Sequence, residues 1–425
     1  MNYELYIARR LRLQEPGSKR SAASIRVSVA GVALSVVIML LTLAIVRGFK
    51  QQITEKIVGF DAQISIVAHD SSYENELPIT LTPTLHDMLR QAVPAARIDA
   101  SIAQPAMLKT NDHFAAVVFR CYGDSKDWSF ISDNIVEGNL PDYTSSAATS
   151  DASGNDSIKN AIVISKTIAD ELQLSVGEKI PTIFIVDNRM RMRNFVVAAI
   201  YESHISDYDK TVAFAPISTL RSLLGLAPNQ STRLEISGLS LDDVPEAQME
   251  VHYALSNAYY IGETETILHA QSVLQTGAIY FNWLELLDAN VVVIILLMSA
   301  ISIFTLVASL FILILERVNL IGTLKTLGSA NVSVRKIFIY VAARILLRGL
   351  LIGNAIGLAI IAIQYYTHIL PLDPESYYIS FVPVSITIWQ VLTLNIVAVV
   401  SAMAVMIIPS MVITRMQPAR ILRFE

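Results

Sequence analysis

Residues able to do chemistry are few and scattered in this sequence. The seven histidines and the single cysteine, Cys121, form neither His-x-x-x-His nor Cys-x-x-Cys spacing, so no zinc-type site is indicated. The sequence has no Gly-x-x-x-x-Gly-Lys-Ser/Thr loop to cradle phosphates and no Gly-x-Ser-x-Gly elbow for a nucleophilic serine. We therefore expect a chain that is not itself an enzyme and that holds no metal or cofactor.

One charged segment between two apolar regions does stand out. The run Ala289–Leu315 carries no charge and, at ~1.5 Å per residue, can cross a hydrocarbon layer ~30 Å thick. It stops abruptly at Glu316 and Arg317, and a short mixed segment then precedes the next apolar region. Such a segment is typical of a rigid handle on one membrane face, which a partner protein could push.

The amino-acid composition indicates that the chain is a membrane protein. The 425 residues are 53% hydrophobic and 16% charged, against about 25% charged in soluble proteins. No span has a charge at its midplane, which argues against a proton- or ion-driven carrier, so any work must draw on another chain. The predicted segments are 1–26 (cytoplasmic, amphipathic), 27–47 (span one), 48–288 (external domain), 289–315 (span two), 316–336 (cytoplasmic coupling segment), 337–365 (span three), 366–385 (external loop), 386–408 (span four) and 409–425 (cytoplasmic tail).

Orientation follows from the placement of Lys and Arg. Residues 1–26 carry six, residues 316–348 carry six and residues 366–385 carry none, so both termini and the coupling segment are expected in the cytoplasm. Residues 49–288 contain 16 Lys/Arg and 31 Asp/Glu, a formal charge of −15. That charge argues against nucleic acid or an anionic membrane surface as a partner of the external domain.

The first span has the features of an uncleaved signal anchor, because it is longer than a signal-peptide core and lacks a small-residue cleavage site. We expect its helix to continue out of the membrane and turn at Gly59. Residues 2–13 fit either a helix in the cytoplasmic interface or an ordinary basic flank. In the third span, Gly349, Gly353 and Gly357 recur every fourth residue and allow close helix packing.

The external domain shows short β-branched runs, separated by turn residues and interrupted by helical segments, which predicts an α+β fold. Residues 143–160 are small and polar and are interpreted as a surface insertion. The predicted strands are Ile64–Val67, Ile98–Ile102, Ala115–Cys121, Ala161–Ile164, Lys179–Val186, Asn194–Ile200, Thr211–Ala215 and Arg233–Ser237. The predicted helices are Thr84–Ala92, Lys166–Leu172, Ile217–Leu224 and Pro245–Ser256.

Several phrases resemble a known family. They are IARRLR near the start, RGFKQQITEKIVGFDAQISI after span one, NWLELLDANVVVIILLM into span two, LILERVNLIGTLKTLGSANVSVRKIFI after it, and the closing QPARILRFE. Together with one span, a large external domain and three further spans, they resemble the MacB/FtsX-type superfamily of ABC-transporter permeases. Within it, the likeness is to the lipoprotein-releasing LolC/LolE type of the bacterial inner membrane.

The resemblance implies a complex in which two permease subunits, identical or paralogous, pair above cytoplasmic ATPase subunits that bind ATP and Mg²⁺. Residues 319–336 would then hold the coupling helix. Leu320, Ile321, Leu324 and Leu327 could be buried in the ATPase, Gly322 allows close approach, Gly328 ends the helix, and Glu316, Arg317 and Lys325 surround it with charge. A plain amphipathic helix lying on the membrane is the alternative interpretation.

The resemblance also implies a lipoprotein substrate and an acyl-chain cleft between spans one and two. The matching positions are Met39, Leu43, Val46, Phe49, Leu287, Val291 and Ile295. Family members can hand the lipoprotein to a periplasmic carrier through a protruding hairpin. The corresponding connection here, around Asp187–Arg193, is shorter than that hook, which puts carrier docking by this chain in doubt.

The resulting functional prediction is a permease subunit that releases lipoproteins by transmitting the motion of an ATPase. Two alternatives stay open. One is a MacB-like exporter of peptides or drugs, and the other is an FtsX-like regulator of a cell-wall hydrolase. A long greasy cleft between spans one and two favours the lipoprotein function, and a sealed interface favours the regulator.

Overall fold

The computed structural model describes residues 4, 6, 7, 19–71, 76–143, 160–186 and 188–410. Most of the segment 2–13, the insertion 144–159 and the tail from residue 411 lie outside them. The chain forms two compact units. We call them the membrane bundle, which comprises Met1–Gln52, Trp283–Leu372 and Phe381–Glu425, and the inserted domain, which comprises Ile53–Asn282 and Asp373–Ser380.

The helices and strands follow one another without a long gap over most of the described chain. In order they are α1 (Lys19–Phe60), β1 (Ile64–Ala68), β2 (Ile79–Thr80), α2 (Pro83–Ala92), β3 (Arg97–Lys109), β4 (Phe114–Tyr122), α3 (Ser129–Asp133), β5 (Ile135–Gly138), β6 (Ala161–Ser165), α4 (Lys166–Leu172), β7 (Lys179–Val186), β8 (Arg189–Tyr201), α5 (Ser206–Thr211), β9 (Val212–Phe214), α6 (Ile217–Leu224), β10 (Gln230–Ser231), β11 (Arg233–Ser237), α7 (Val244–Tyr260), β12 (Leu268–Ser272), α8 (Val273–Thr276), α9 (Ala278–Glu316), α10 (Val318–Thr326), α11 (Asn331–Thr367), α12 (Pro374–Tyr377) and α13 (Ile388–Ser410).

Within the described part of the chain, four helices are long and apolar enough to cross a membrane: α1, α9, α11 and α13. Three of them run well beyond the apolar stretches that hydropathy delimits, since α1 has 42 residues, α9 has 39 and α11 has 37. Intrahelical hydrogen bonds do not depend on apolar side chains, so a helix continues through polar flanks until a capping or turn signal ends it. The loop expected at 366–385 contains the short helix α12 and a bridge between Pro371 and Phe381.

Close packing of α1 on α11 depends on the three glycines spaced four apart. A Cβ at Gly349 would lie 2.6 Å from a Val32 methyl, and one at Gly353 would lie 2.8 Å from the backbone carbonyl oxygen of Ala33. A Cβ at Gly357 would lie 3.0 Å from a flexible Leu40 methyl. The glycine backbone of α11 therefore lies directly against residues of α1 along this face, as small-residue packing in membranes permits.

Helices α11 and α13 are joined by a pair of asparagines. Asn354 Nδ2 donates to Asn395 Oδ1 at 2.7 Å, and Asn395 Nδ2 donates back to Asn354 Oδ1 at 3.0 Å. Each side chain also donates to a carbonyl one turn earlier in its own helix. The amides thus satisfy each other inside the bundle, which offsets the cost of placing polar groups in hydrocarbon.

The inserted domain is built on a ten-stranded sheet in the order β12-β1-β11-β3-β4-β9-β6-β8-β5, with β7 pairing to both β3 and β8. The pairings of β3, β4, β9, β6, β8 and β7 form a closed circuit, so these strands make a small barrel. Phe119, Phe184 and Phe195 meet in its core, with ring centroids 5.3–6.1 Å apart. Helices α2 and α7 pack on the β12-β1-β11 end of the sheet through a second apolar core.

Most predicted strands and helices of this domain are confirmed, and four strands were missed. The bounds of α4, α6, β7 and β11 agree residue for residue with the sequence prediction. The missed strands are β2, β5, β10 and β12, which are short or at the edge of a sheet. A β-bulge interrupts the pairing of β5 with β8, which further weakens the sequence pattern of a strand.

Candidate functional site

The coupling segment forms a short, sharply ended helix, α10. The Gly328 N–H donates to the Lys325 carbonyl at 3.1 Å, and the Ser329 N–H donates to the Leu324 carbonyl at 3.0 Å. Gly328 has φ +89°, a left-handed conformation that glycine adopts without strain. These two bonds make a Schellman motif, so the sequence does end the helix at this glycine.

A single residue separates α10 from the long helix α9. The Arg317 N–H donates to the Leu313 carbonyl at 3.2 Å, and the Arg317 carbonyl accepts from the Ile321 N–H at 3.0 Å. Arg317 therefore belongs to the hydrogen-bond pattern of both helices. A force on α10 is resisted by backbone hydrogen bonds that lead into α9, which is the property expected of a rigid handle.

We expected all the apolar side chains of α10 to be available to a partner. The structure differs, because some of them face the membrane bundle. Ile321 is fully buried in the core of the membrane bundle, Gly322 is also buried, and Leu320 and Leu324 are partly covered. Leu327 is 78% exposed. Ile321 and Gly322 therefore pack α10 against its own chain, whereas Leu327 is free of such packing. Its contact with an ATPase stays a prediction. Glu316 is exposed and Lys325 is half-buried.

The residues expected to form an acyl-chain cleft lie along the interface of α1 with α9. Met39 and Val291 are 2% and 7% exposed, and Leu43, Val46, Phe49, Leu287 and Ile295 are half-buried. Met39, Leu43 and Ile295 share the core of the bundle. The structure thus shows Met39, Leu43 and Ile295 in the core of the bundle and Phe49 against Trp283 of α9, as protein contacts rather than as the lining of an open cleft. For Val46, Leu287 and Val291 it shows burial alone.

Three contacts close this interface along its length. Met39 Sδ accepts a bond from Ser299 Oγ at 3.6 Å. The rings of Phe49 and Trp283 meet edge to face at 5.4 Å, and Lys50 pairs with Asp288. These contacts join α1 and α9 at three positions along the two helices.

Sequence reasoning missed a cluster that anchors the end of α1 in the inserted domain. Phe60, the last residue of α1, stacks on Tyr208 with a centroid distance of 4.5 Å and packs among several other aromatic rings. The next residue, Asp61, is bonded by both the Arg120 guanidinium and the Tyr208 hydroxyl. Arg120 also donates to the Phe60 carbonyl at 3.2 Å. The signal was faint, because these residues are far apart in the sequence.

Lys56, one turn before the end of α1, binds the loop between α11 and α13. Lys56 Nζ donates to the carbonyls of Ser203 at 2.6 Å and Tyr378 at 2.8 Å. The ring of Tyr378 also lies 6.2 Å from that of Tyr280. Residues 373–380 therefore belong to the inserted domain, although they lie far beyond it in the sequence.

The Asp61–Arg120 pair predicts a pH-dependent stability. Burial raises the pKa of the Asp61 carboxyl, but the Arg120 charge and the Tyr208 hydroxyl outweigh it and hold the pKa below its usual range. A depressed pKa means that the stabilisation is present at neutral pH and is lost as pH falls through the folded-state value. We expect Asp61→Asn to lower the free energy of unfolding by about 2–4 kcal/mol at neutral pH, because it leaves Arg120 without its charge partner.

This difference is measured by denaturant unfolding of the purified protein at several pH values. The difference should begin to shrink as the pH is lowered below about 4, where the unfolded-state carboxyl takes up its proton. It should be lost as the pH falls through the lower folded-state pKa. Asp127→Asn is the control, because that carboxylate is half exposed and its pair with Arg97 spans 3.3 Å at the surface. Equal effects of the two substitutions at neutral pH would contradict a special role for Asp61.

The connection expected at Asp187–Arg193 is a tight hairpin and not a loop. Strand β7 pairs along its whole length with the first part of β8, from Lys179 opposite Val196 to Val186 opposite Arg189. Residues 189–193 are therefore strand, and Asn188, with φ +59°, lies in the turn. Arg191 donates to the Leu223 carbonyl, so it binds its own domain. The outer end of this hairpin is exposed at Ile185, Met190 and Met192, and whether it contacts a carrier stays a prediction.

Two family models together match most of the chain. The MacB-like periplasmic core domain matches residues 27–252, and the FtsX-like permease C-terminal model matches residues 292–418. Four membrane-crossing helices, with an α+β periplasmic domain inserted between the first and the second, thus define an ABC-transporter permease of the MacB/FtsX-like class.

Curated relatives narrow the class. Over 99% of both chains, this protein is 21% identical to the lipoprotein-releasing system transmembrane protein LolE of Haemophilus influenzae. It is also 21% identical to LolC of Xylella fastidiosa, over 94% of this chain and 93% of the relative. The chain belongs to the LolC/LolE type of these permeases, which makes it a multi-pass protein of the inner membrane.

Among solved structures, the extracellular domain of the noncanonic ABC-type transporter YknZ from Gram-positive bacteria aligns with 49% of this chain and 99% of its own. The sequence identity is 15% and the TM-score is 0.31, which is too low to support a detailed comparison.

Proposed function

We propose that this chain is the membrane subunit of an ATP-driven complex that extracts lipoproteins from the inner membrane for delivery to the outer membrane. The observation that carries the proposal is the full-length match to proteins named as lipoprotein-releasing. The partners are a cytoplasmic ATPase, which supplies ATP and Mg²⁺, a second permease subunit and the lipoprotein, with a periplasmic carrier as a possible recipient. Both termini and α10 face the cytoplasm.

The physical task explains why an external energy source is needed. Each acyl methylene transferred from the membrane to water costs ~0.8 kcal/mol, and a triacylated lipoprotein carries tens of them. No passive route overcomes that cost, so an apolar path must shelter the chains while ATP hydrolysis drives their release. The half-buried apolar residues at the α1–α9 interface, such as Leu43, Val46 and Phe49, supply such a surface once the helices part.

Motion would reach this interface through the helices themselves. A push by the ATPase on the exposed Leu327 end of α10 acts on α9, since Arg317 joins the two helices without a flexible linker. Movement of α9 then opens or closes the contacts of Met39, Phe49 and Lys50. We call this mechanotransmission, because the chain carries force and performs no chemistry of its own.

Depletion of the protein tests the proposed function. We expect outer-membrane lipoproteins to accumulate in the inner membrane, as measured by density fractionation and immunoblotting, while integral outer-membrane proteins fractionate normally. If lipoprotein fractionation is unchanged, the permease serves another substrate or none. Co-purification then separates the alternatives, because an outer-membrane channel indicates the MacB-like exporter and a cell-wall hydrolase indicates the FtsX-like regulator.

The closed α1–α9 interface is the one observation that favours the regulator, and a cross-link tests it. We expect a Met39→Cys/Ser299→Cys pair, bridged by a short thiol reagent, to stop lipoprotein release almost completely, because the helices can no longer separate. The sole native thiol, Cys121, is buried in the inserted domain and burial raises its pKa, so it does not compete for the reagent.

Each single-cysteine variant treated with the same reagent is the control and should retain release. Release is followed in proteoliposomes as the transfer of a fluorescently labelled lipoprotein to the soluble fraction. Undiminished release from the cross-linked double variant would mean that no acyl chain passes between α1 and α9.

A further inference from the structure

An apolar groove of about 720 Å³ lies between α11 and α13, away from the α1–α9 interface. Its walls include Leu347, Leu351 and Leu358 from α11, and Ile388, Leu392 and Val400 from α13. From Ile388 to Val400 the helix rises ~18 Å, slightly more than one leaflet of a hydrocarbon layer ~30 Å thick. The groove therefore has the length of one acyl chain lying along the membrane normal.

The two amides in the lining of the groove need no hydrogen bond from whatever occupies it. Its polar lining includes Asn354 and Asn395, and each amide is already bonded to the other and to a backbone carbonyl. A third polar residue of the lining, Thr387, donates its backbone N–H to Gln390 Oε1 at 3.1 Å. An occupant with no hydrogen-bonding groups, such as a hydrocarbon chain, fits these walls.

The shape of the walls favours a slim chain over a transmembrane helix. Helices pack closely in membranes through small residues, and the glycines of α11 that could serve this purpose, Gly349, Gly353 and Gly357, already face α1. The groove is instead lined by leucine, isoleucine and valine, apart from the two asparagines and Thr387. Bulky branched walls leave a narrow channel that a flexible acyl chain can follow.

Two arginines lie at one end of the groove. Arg344 is one helical turn before Leu347, and Arg348 is one turn before Leu351 on the same helix. Both side chains are exposed, and neither has an ion-pair partner within the described ranges of the chain. The charge-free part of α11 begins directly after Arg348, so these long side chains can extend from there towards the membrane interface. Arginines in that position bind the phosphates of anionic lipids.

We propose that an anionic phospholipid of the bilayer binds here, with one acyl chain in the α11–α13 groove and its phosphate between Arg344 and Arg348. The site is separate from the residues assigned to the lipoprotein, so the inference stands whether or not the chain releases lipoproteins. The bound lipid fills the space between two helices that are joined elsewhere by the asparagine pair and by the apolar core of the bundle.

Native mass spectrometry of the full chain, with the subunits that accompany it, tests the site. The protein is equilibrated in nanodiscs with equal amounts of phosphatidylglycerol and phosphatidylcholine, and the lipids retained after release are counted. We expect retained phosphatidylglycerol in clear excess. Removing both charges in the Arg344→Gln/Arg348→Gln variant should reduce this preference roughly 10- to 30-fold, whereas Arg344→Lys/Arg348→Lys should keep most of it.

A matched pair of substitutions tests the groove itself. Leu351→Trp fills the groove and should lower retention of phosphatidylglycerol, whereas Ile352→Trp, at an exposed neighbour that does not line it, should not. A photo-reactive residue at Leu351 should label phospholipid. No preference in the wild-type protein, equal retention by the two tryptophan variants, or labelling of a protein helix or a lipoprotein acyl chain would each overturn the proposal.

Discussion

Replacing Leu327 with aspartate is expected to uncouple the ATPase from the permease. Leu327, the residue directly after α10, is 78% exposed, so the substitution should have little effect on the stability of the fold. Burying a new carboxylate in the ATPase contact should cost at least ~2 kcal/mol, the size of an interface hot spot, which weakens docking roughly 30-fold. Co-purification of the ATPase and substrate-stimulated ATP hydrolysis are the measurements.

The choice of Leu327 alone follows from the burial pattern of α10. Aspartate at Leu324 or Ile321 would disturb the core of the bundle, so loss of coupling there could not be told from loss of folding. Val136→Asp, at a half-exposed site of the inserted domain, is the control and should leave hydrolysis unchanged. If Leu327→Asp binds and stimulates the ATPase normally, α10 is an amphipathic helix of the membrane surface.

Gly353→Leu should disrupt the membrane bundle. Even the first carbon of a side chain would lie 2.8 Å from both the Ala33 carbonyl oxygen and Val36 Cβ, and a helix backbone cannot move aside cheaply. Overpacking of a core costs about 1–3 kcal/mol, and the leucine adds three more carbons to the same contact. We expect a large loss of folded protein in detergent, measured by size-exclusion chromatography and by thermal unfolding.

The same enlargement elsewhere on α11 provides the comparison. Ala359→Leu places a leucine on an exposed face of the helix, so it should fold normally. Gly357→Ala should have an intermediate effect, since it meets only a movable Leu40 methyl at 3.0 Å. Wild-type stability of Gly353→Leu would show that α1 and α11 do not depend on this close contact.

Local sequence signals predicted a large part of the fold. Four spans follow from long apolar runs, and strands such as Lys179–Val186 follow from β-branched residues bounded by turns. The extent of β3 did not follow, because Pro105 lacks an N–H and weakens a strand signal. In the fold, β3 continues past Pro105 to Lys109 because it pairs with both β4 and β7.

The structure of the coupling segment was predicted in part, and its coupling role stays a prediction. The ends of α10 follow from local residues, and its Gly328 cap was foreseen. Which side of α10 faces inwards depends on packing against α11, and that packing is set by residues more than ten positions away, such as Val334 and Phe338. The Asp61–Arg120–Tyr208 cluster also arises from tertiary contacts alone, so periodicity could not reveal it.

The hydrogen bond from Lys56 to the Tyr378 carbonyl limits where the chain can be cut to produce a separate periplasmic domain. The two family models match consecutive parts of the chain, residues 27–252 and residues 292–418. Residues 373–380 lie within the second part but fold with the inserted domain. A recombinant periplasmic domain that ends near residue 282 would lack Tyr378. The Lys56 ammonium group would then lose one of its two carbonyl acceptors, and the Tyr280 ring would lose its contact with the Tyr378 ring. Exchanging whole modules between relatives would break the same bond, so chimaeras should carry this loop together with the domain it completes.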